Sequence, residues 1–435
     1  MHESQFNLLN EIIKHEHPLK DVSSLDPLIE KIGDSRIVLL GEASHGTHEY
    51  YTWRAKISQR LIQEKGFQFI AVEGDWPDCY RLNRYIKNYP DSGENAEKVL
   101  HEFNRWPTWM WANWEIVAFA ERLRKFNHDL PLKQKIGFYG LDVYSLWESL
   151  AEILHYLEHK DPSALHAAQL AISCFEPYRY EGQSYALATQ LVPNSCQEEV
   201  LQLLQQIRRK THSYDGDQEL VFSTEQNALV AVNAERYYRS MLKGGASSWN
   251  IRDQHMFSTL TRLMNFHGPK SKVIVWEHNT HIGDARATDM ARQGMFNIGQ
   301  LVRENFSKEE CFLIGFGSYQ GNVIAGNEWG AKMEAMPLPP ARKDSWEFLL
   351  HQDHGKNKLL LMEDLKSSPL SSKSVDHRAV GVVYHPQQER YGNYVPSLIT
   401  QRYDAFIYFD QTHALHPLHF EPDGYQMPET FPWGV

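Results

Sequence analysis

Five short apolar runs in this chain each stop at polar residues able to do chemistry. Residues 37–40 run into Gly41 and Glu42, and 67–72 into Glu73-Gly74-Asp75. Residues 136–141 end at Asp142, 272–276 at Glu277-His278, and 311–316 at Gly317. A short β-branched run bounded in this way reads as a fully buried strand. Helical patterns lie between the runs. This alternation is the sequence form of an α/β fold: a mainly parallel central sheet flanked by helices. Loops leaving the carboxyl ends of such strands line the ligand crevice. The acids and histidines there are therefore expected to converge. Runs at 358–362, 379–384 and 405–409 are expected to extend the sheet.

The segment 36–54 is the richest of these. Gly41 and Gly46 bracket a tight loop holding Glu42, Ser44 and His45. A helix should follow from about Thr47, with Tyr50, Ile57, Leu61 and Ile62 on one apolar stripe. Arg54 lies on that helix, within reach of a site carboxylate. Ser44 beside His45 suggests a nucleophile, but the Gly-x-Ser-x-Gly pattern is absent and adjacent side chains seldom point the right way. His48 reads as a helix-surface residue. The loop matches neither phosphate-binding fingerprint and carries acid, so phosphate is a poor fit. A faint echo links Glu42-x-x-His45-Gly46 to Glu277-x-x-x-His281-x-Gly283 and suggests two half-sites facing one pocket.

Strand signals vanish between about 145 and 268. The stretches 146–159, 162–174, 196–214, 219–243 and 250–266 read as helices, forming a large insert over the active-site cleft. Upstream, Trp106, Trp109, Trp111 and Trp114 crowd nine residues. Such a cluster is either a core anchor or a wall for rings and sugars.

Charge and composition exclude several roles. A net charge of −11 without a Lys/Arg block argues against nucleic acid as a partner. No stretch approaches the roughly 20 apolar residues of a membrane helix, and residues 1–20 lack the apolar centre of a secretory signal. Cys79, Cys174, Cys196 and Cys311 show no short pairing, so neither a zinc knuckle nor a disulfide framework is expected. A cytoplasmic protein acting on a small molecule is the plain expectation.

Glu42, His45, Glu73, Asp142, His278 and His281 thus all fall at strand ends. Such a group can polarise a water, with an imidazole as general base and a carboxylate fixing its tautomer. It can equally hold a divalent metal, since imidazole nitrogen and carboxylate oxygen are usual ligands.

Gly-Glu-Ala-Ser-His-Gly-Thr (41–47), Val-Glu-Gly-Asp-Trp-Pro-Asp (72–78), Trp-Pro-Thr-Trp-Met-Trp (106–111), Phe-Tyr-Gly-Leu-Asp-Val-Tyr-Ser (138–145), Arg-Asp-Gln-His-Met (252–256) and Trp-Glu-His-Asn-Thr-His-Ile-Gly-Asp (276–284) together resemble the erythromycin esterase family. That family includes members labelled succinoglycan biosynthesis proteins. The resemblance runs from about Leu25 to Leu418. It implies one domain over 1–435, with an α/β core at 25–145 and 268–420 and the helical insert at 146–267. It implies an ester or lactone hydrolase without a required cofactor. By motif position His45 is the base, with Glu42, Arg54, Glu73, His278 and His281 as the other catalytic residues. Asp75, Trp76, Trp109, Trp111, Asp142 and Arg252 are the expected substrate-binding residues. The chain departs from the resistance esterases in showing no macrolide pocket in its sequence. The rival readings are a hydrolase using the same cluster as metal ligands, and a non-catalytic carbohydrate-binding or polysaccharide-assembly protein with the tryptophans as its platform.

Overall fold

The computed structural model of the chain describes residues 3–90, 92–178, 182–191, 195–211, 216–242 and 245–419. The expected helix ends at 212–214 and 243 lie outside the described residues.

The strands are β1 (Glu16–Pro18), β2 (Ile37–Leu40), β3 (Phe69–Val72), β4 (Gly137–Gly140), β5 (Val273–Trp276), β6 (Cys311–Gly326), β7 (Met333–Leu338), β8 (Lys358–Leu361), β9 (Ser374–Arg378), β10 (Tyr394–Leu398) and β11 (Ala405–Thr412). One large sheet runs β1-β8-β11-β6-β2-β5-β3-β4, with β7 folded back on β6. The six strands from β11 to β4 are parallel; β8 joins β11, and β1 joins β8, antiparallel. All five apolar runs are strands of this sheet, as expected. Every residue of β2, β3, β4 and β5 is buried, because helices cover both faces.

Alternation decides which face each side chain serves. Val38, Leu40, Ile70, Val72, Ile274 and Trp276 pack on one face with helices His48–Lys65 and Trp114–Asn127. Ile37, Leu39, Phe69, Ala71, Val273 and Val275 pack on the other with helices Ser247–His267 and Ile298–Asn305. Burying a side chain of this size contributes about 1.5–3 kcal/mol. A one-residue slip would exchange the two faces, so the register is strongly specified.

The described residues of the insert are helical or in short connections. Helices Leu146–Lys160, Leu165–Phe175, Gly182–Leu191, Gln197–Thr211, Gln218–Met241 and Ser247–His267 build it. Several of them enclose an apolar core of their own around Leu150, Ile153, Leu203, Ala231 and Tyr185.

Two expectations need correcting. Residues 379–384 form no strand of the main sheet. They make isolated bridges at Val380 and Val383, with the Val380 N–H donating to Ala43 and the Gly326 N–H to Val382. Val380 and Tyr384 are buried, and Ala379, Val382 and Val383 half-buried, by draping over the first loop and the end of β6 rather than by a ladder. Cys174 and Cys196 are joined by a disulfide across 22 residues, whereas Cys79 and Cys311 are free and buried. Spacing alone hid the pair, because the helices of the insert bring the two together. Among the described residues, no helix is long and apolar enough to cross a membrane.

Candidate active site

Leu40, Trp276, Val72 and Gly140 stand level across β2, β5, β3 and β4. The next residues of these four neighbouring strands therefore emerge side by side: Glu42 to His45, Glu277 to His281, Glu73 and Asp142. They open into a cleft of about 500 Å³ lined by His45, Glu73, Asp142, Arg252, His278 and His281 among others. That size suits a small-molecule ligand.

The first loop is held from two sides. Ile324 and Leu415 both donate backbone N–H groups to the Gly46 carbonyl at 3.0 Å. A Cβ on Gly46 would lie 1.9 Å from the Ile324 carbonyl oxygen, so only glycine allows this approach. His45 is fixed between these contacts. Its Nδ1 donates to Glu42 Oε1 at 3.0 Å, which leaves Nε2 as the acceptor facing the cleft, 4.0 Å from Glu73 Oε1. The other Glu42 oxygen accepts from Arg54 Nη2 at 2.7 Å. Arg54 is fully buried between the rings of Tyr51 and Trp276. Burial alone would push the His45 imidazole down, but Glu73 and Glu42 outweigh it and its pKa is raised. The Ser44 hydroxyl bonds the Thr47 hydroxyl, so it is turned to that side chain rather than to His45.

Glu73 is the centre of the second group. Oε2 accepts the His278 backbone N–H at 2.8 Å, and Oε1 accepts Arg252 Nη2 at 2.7 Å. Burial opposes its charge, yet His281, Arg252 and His45 hold its carboxyl well below the usual range. Arg252 also makes a two-pronged pair with Asp142, at 2.9 and 2.6 Å, and donates Nη1 to His281 Nε2 at 3.0 Å. His281 Nδ1 lies 3.0 Å from both Asp253 oxygens, and its ring stacks on Trp249 at 4.5 Å. Both nitrogens of His281 are thereby engaged.

His278 differs. The Thr280 N–H donates to its Nδ1 at 3.2 Å, and the Thr280 hydroxyl lies 2.8 Å away. This puts the ring proton on Nε2, which has no hydrogen bond of normal geometry; the Ala43 carbonyl only weakly favours its charged form. Burial and the neighbouring His45 push the His278 pKa well down. It is a neutral N–H donor, its ring 5.0 Å from that of His45. Glu277 is fully buried with neither oxygen bonded, and burial together with Glu73 and Asp253 raises its pKa far up. With no hydrogen-bond partner among the described residues it does not mirror Glu42, so the faint internal echo is one of position only.

Towards the mouth, Asp75 pairs with Arg105. Burial pushes Asp75 up to about 6 and Asp78 up to about 7, each with a carboxylate neighbour adding to the effect. The Tyr144 ring lies beneath two guanidinium groups, those of Arg105 and Arg252. Trp106 and Trp329 meet on the rim with ring centroids 4.6 Å apart, their planes tilted by 54°.

The expected site residues divide as follows. His45, Glu73, His278, His281, Asp75, Trp111, Asp142 and Arg252 line the cleft, while Glu42 and Arg54 support His45 from behind. Trp76 does not line it: the ring is buried on the opposite sheet face, stacked with Tyr139 and donating to Ser223 at 3.0 Å. Trp109 also packs into the core. Asp253, Trp249, Tyr144 and Arg105 went unassigned in the sequence. The adjacent charges Arg252-Asp253 inside a helix were the available signal, because burying both demands partners.

The family model described as erythromycin esterase matches residues 62–412. The chain belongs to the erythromycin esterase family. It is 23% identical over 386 residues to erythromycin esterase type II of Escherichia coli, covering 82% of this chain and 88% of that one. A crystal structure of a succinoglycan biosynthesis protein superposes with a TM-score of 0.76 at 21% identity, over 96% of this chain and 99% of that one. A Bacillus cereus protein superposes at 0.79 with 19% identity and the same coverage. An erythromycin esterase mutant, EreC in its open conformation, superposes at 0.66 with 16% identity, over 91% and 95%. At these identities the superpositions establish a shared fold.

Proposed function

We propose that this protein hydrolyses an ester or lactone by attack of a water that His45 activates. The observation carrying this reading is the Arg54–Glu42–His45 relay, which leaves an imidazole lone pair open to the cleft. Water attacks the carbonyl carbon and gives its proton to His45 Nε2. Glu42 stabilises the imidazolium, as carboxylates do in hydrolytic triads, and Arg54 balances the charge. The His278 Nε2–H donates to the carbonyl oxygen as it becomes an oxyanion. Collapse breaks the carbon–oxygen bond, and the leaving oxygen takes the proton back from His45. An acid and an alcohol result.

We favour this over metal chemistry in the cleft. Two of the donors a cation would need are taken: Arg252 donates to both Glu73 Oε1 and His281 Nε2, and its own positive charge sits beside them. Arg252, itself held by Asp142, fixes Glu73, whose charge draws the proton toward His45.

A panel of activated esters and lactones, assayed with and without chelator, tests the proposal. Turnover that survives chelator and disappears in His45→Asn supports it. Turnover lost to chelator while the protein stays folded favours the metal-dependent hydrolase. No turnover of any ester, with saturable binding of sugars instead, favours the carbohydrate-binding reading.

A further inference from the structure

A second cluster of ligating side chains lies outside the cleft. His48 opens the helix His48–Lys65, and Glu115 lies in the first turn of the helix Trp114–Asn127. The segment 413–418 crosses both helix starts. His48 N–H donates to His413 O, Trp114 N–H to His416 O, and Leu418 N–H to Ala112 O, at 2.8–2.9 Å. This strap brings the His416 ring to Glu115. His48 Nδ1 and His416 Nδ1 both point at one oxygen, Glu115 Oε1, at 2.7 and 2.8 Å. The two rings are nearly perpendicular, with centroids 5.5 Å apart. One ligand atom from each residue can be chosen so that all lie within 4.8 Å of one another.

We propose that His48, Glu115 and His416 form a divalent metal site of the zinc class that fastens the strap across the two helix starts. Two imidazoles and a carboxylate are a donor set zinc takes readily, with the fourth position left to water. Tetrahedral bonds of about 2.0–2.1 Å place ligand atoms about 3.3 Å apart. The two spacings from imidazole nitrogen to Glu115 oxygen need open by only about half an ångström. The Glu115 side chain is 1% exposed, and no Lys or Arg nitrogen pairs with it among the described residues. A buried carboxylate is normally paired or bound to a cation. The positive ends of two helices oppose a cation here, and the Glu115 charge offsets them. The His416 side chain is a third exposed, which gives an ion a way in. None of the three residues lines the cleft, so this site is independent of the hydrolytic reading.

The ligands join segments 67 and 301 residues apart. The strap also holds the catalytic loop, since Leu415 donates to Gly46. An ion here should therefore stiffen the segment that follows His45.

Calorimetric titration of Zn²⁺ into the full-length, chelator-stripped protein tests the proposal, with Co²⁺ absorption as a second readout. The expected result is one equivalent bound, with a zinc-dependent rise in Tm. The double change His48→Gln/His416→Gln should weaken binding roughly a hundredfold or more, beyond what loss of an outer-shell partner costs. Should that protein not fold, His416→Gln alone, at the half-exposed ring, should weaken binding with circular dichroism unchanged. His155→Gln/His159→Gln, on an exposed helix face with its own His-Glu-His group, should leave binding as it is. No saturable binding by the wild type would mean a hydrogen-bonded cluster only and overturn the proposal. Unchanged affinity after the ligand substitutions would place the ion elsewhere and overturn it equally.

Discussion

His45 donates its Nδ1 proton to Glu42 at 3.0 Å, and the two residues come from one four-residue loop between Gly41 and Gly46. The base and its orienting acid are thus built into a single loop. That loop is clamped by the end of β6 on one side and by the strap on the other. The pair reaches the cleft already oriented, and the helix behind it supplies the counter-charge.

Arg54 is that counter-charge, fully buried with Nη2 on Glu42. Arg54→Met would leave the carboxylate without its cation in an apolar setting. Losing one member of a buried pair costs about 3–5 kcal/mol. Urea unfolding should show a loss of this size, and turnover should fall with it. A loss under about 1 kcal/mol would mean that the pair is not the buried brace described.

The His278 Nε2–H has no hydrogen bond of normal geometry among the described residues. His278→Gln moves or removes that donor without touching Glu42 or His45. Turnover should drop about 10²–10³-fold, the usual worth of one oxyanion donor, with KM nearly unchanged. The same substitution at His281 would instead disturb Arg252 and Asp253, and should lower stability as well as rate.

Asp78 has a raised pKa of about 7 from burial and the carboxylate of Asp75. A carboxyl whose folded pKa is raised stabilises the fold below its unfolded pKa. That contribution is lost as pH rises through the folded value. Stability should therefore fall between about pH 4 and 7 through this group. Asp78→Asn should flatten that part of the profile and leave the protein more stable than wild type at pH 8. Equal slopes in both proteins would contradict the burial argument.

Trp329 is 62% exposed yet packs against Trp106 at the cleft rim. Such a pair contributes about 0.5–1.5 kcal/mol. If it binds the outer part of the substrate equally in ground and transition states, Trp329→Ala raises KM about two- to tenfold and spares kcat.

The sheet was legible because a buried parallel strand leaves a continuous apolar run, and the acid or histidine after each run marked where it ended. The level row Leu40, Trp276, Val72 and Gly140 turned those marks into neighbours. What escaped were partners set by long-range packing. Asp253 reaches His281 only because the insert folds down onto the loop after β5. Trp76 opens the helix Trp76–Ile86, and its ring packs into the core of the opposite sheet face, on Tyr139 and Ser223. Residues 379–384 looked like a strand because draped loops bury apolar side chains as sheets do. Cys174 and Cys196 are paired by helix packing that no spacing rule encodes.

The pH–rate profile of His45→Asn against wild type, on one reporter ester, tests the central claim most directly. The wild type should show turnover rising with pH along a single acid limb. That limb should lie above the ordinary imidazole value of about 6.5, because Glu73 and Glu42 raise His45 against its burial. His45→Asn, folded by circular dichroism, should lose roughly 10²–10⁴-fold in kcat and lose the limb. Full activity with the limb intact in His45→Asn would contradict the account and move the base to another residue.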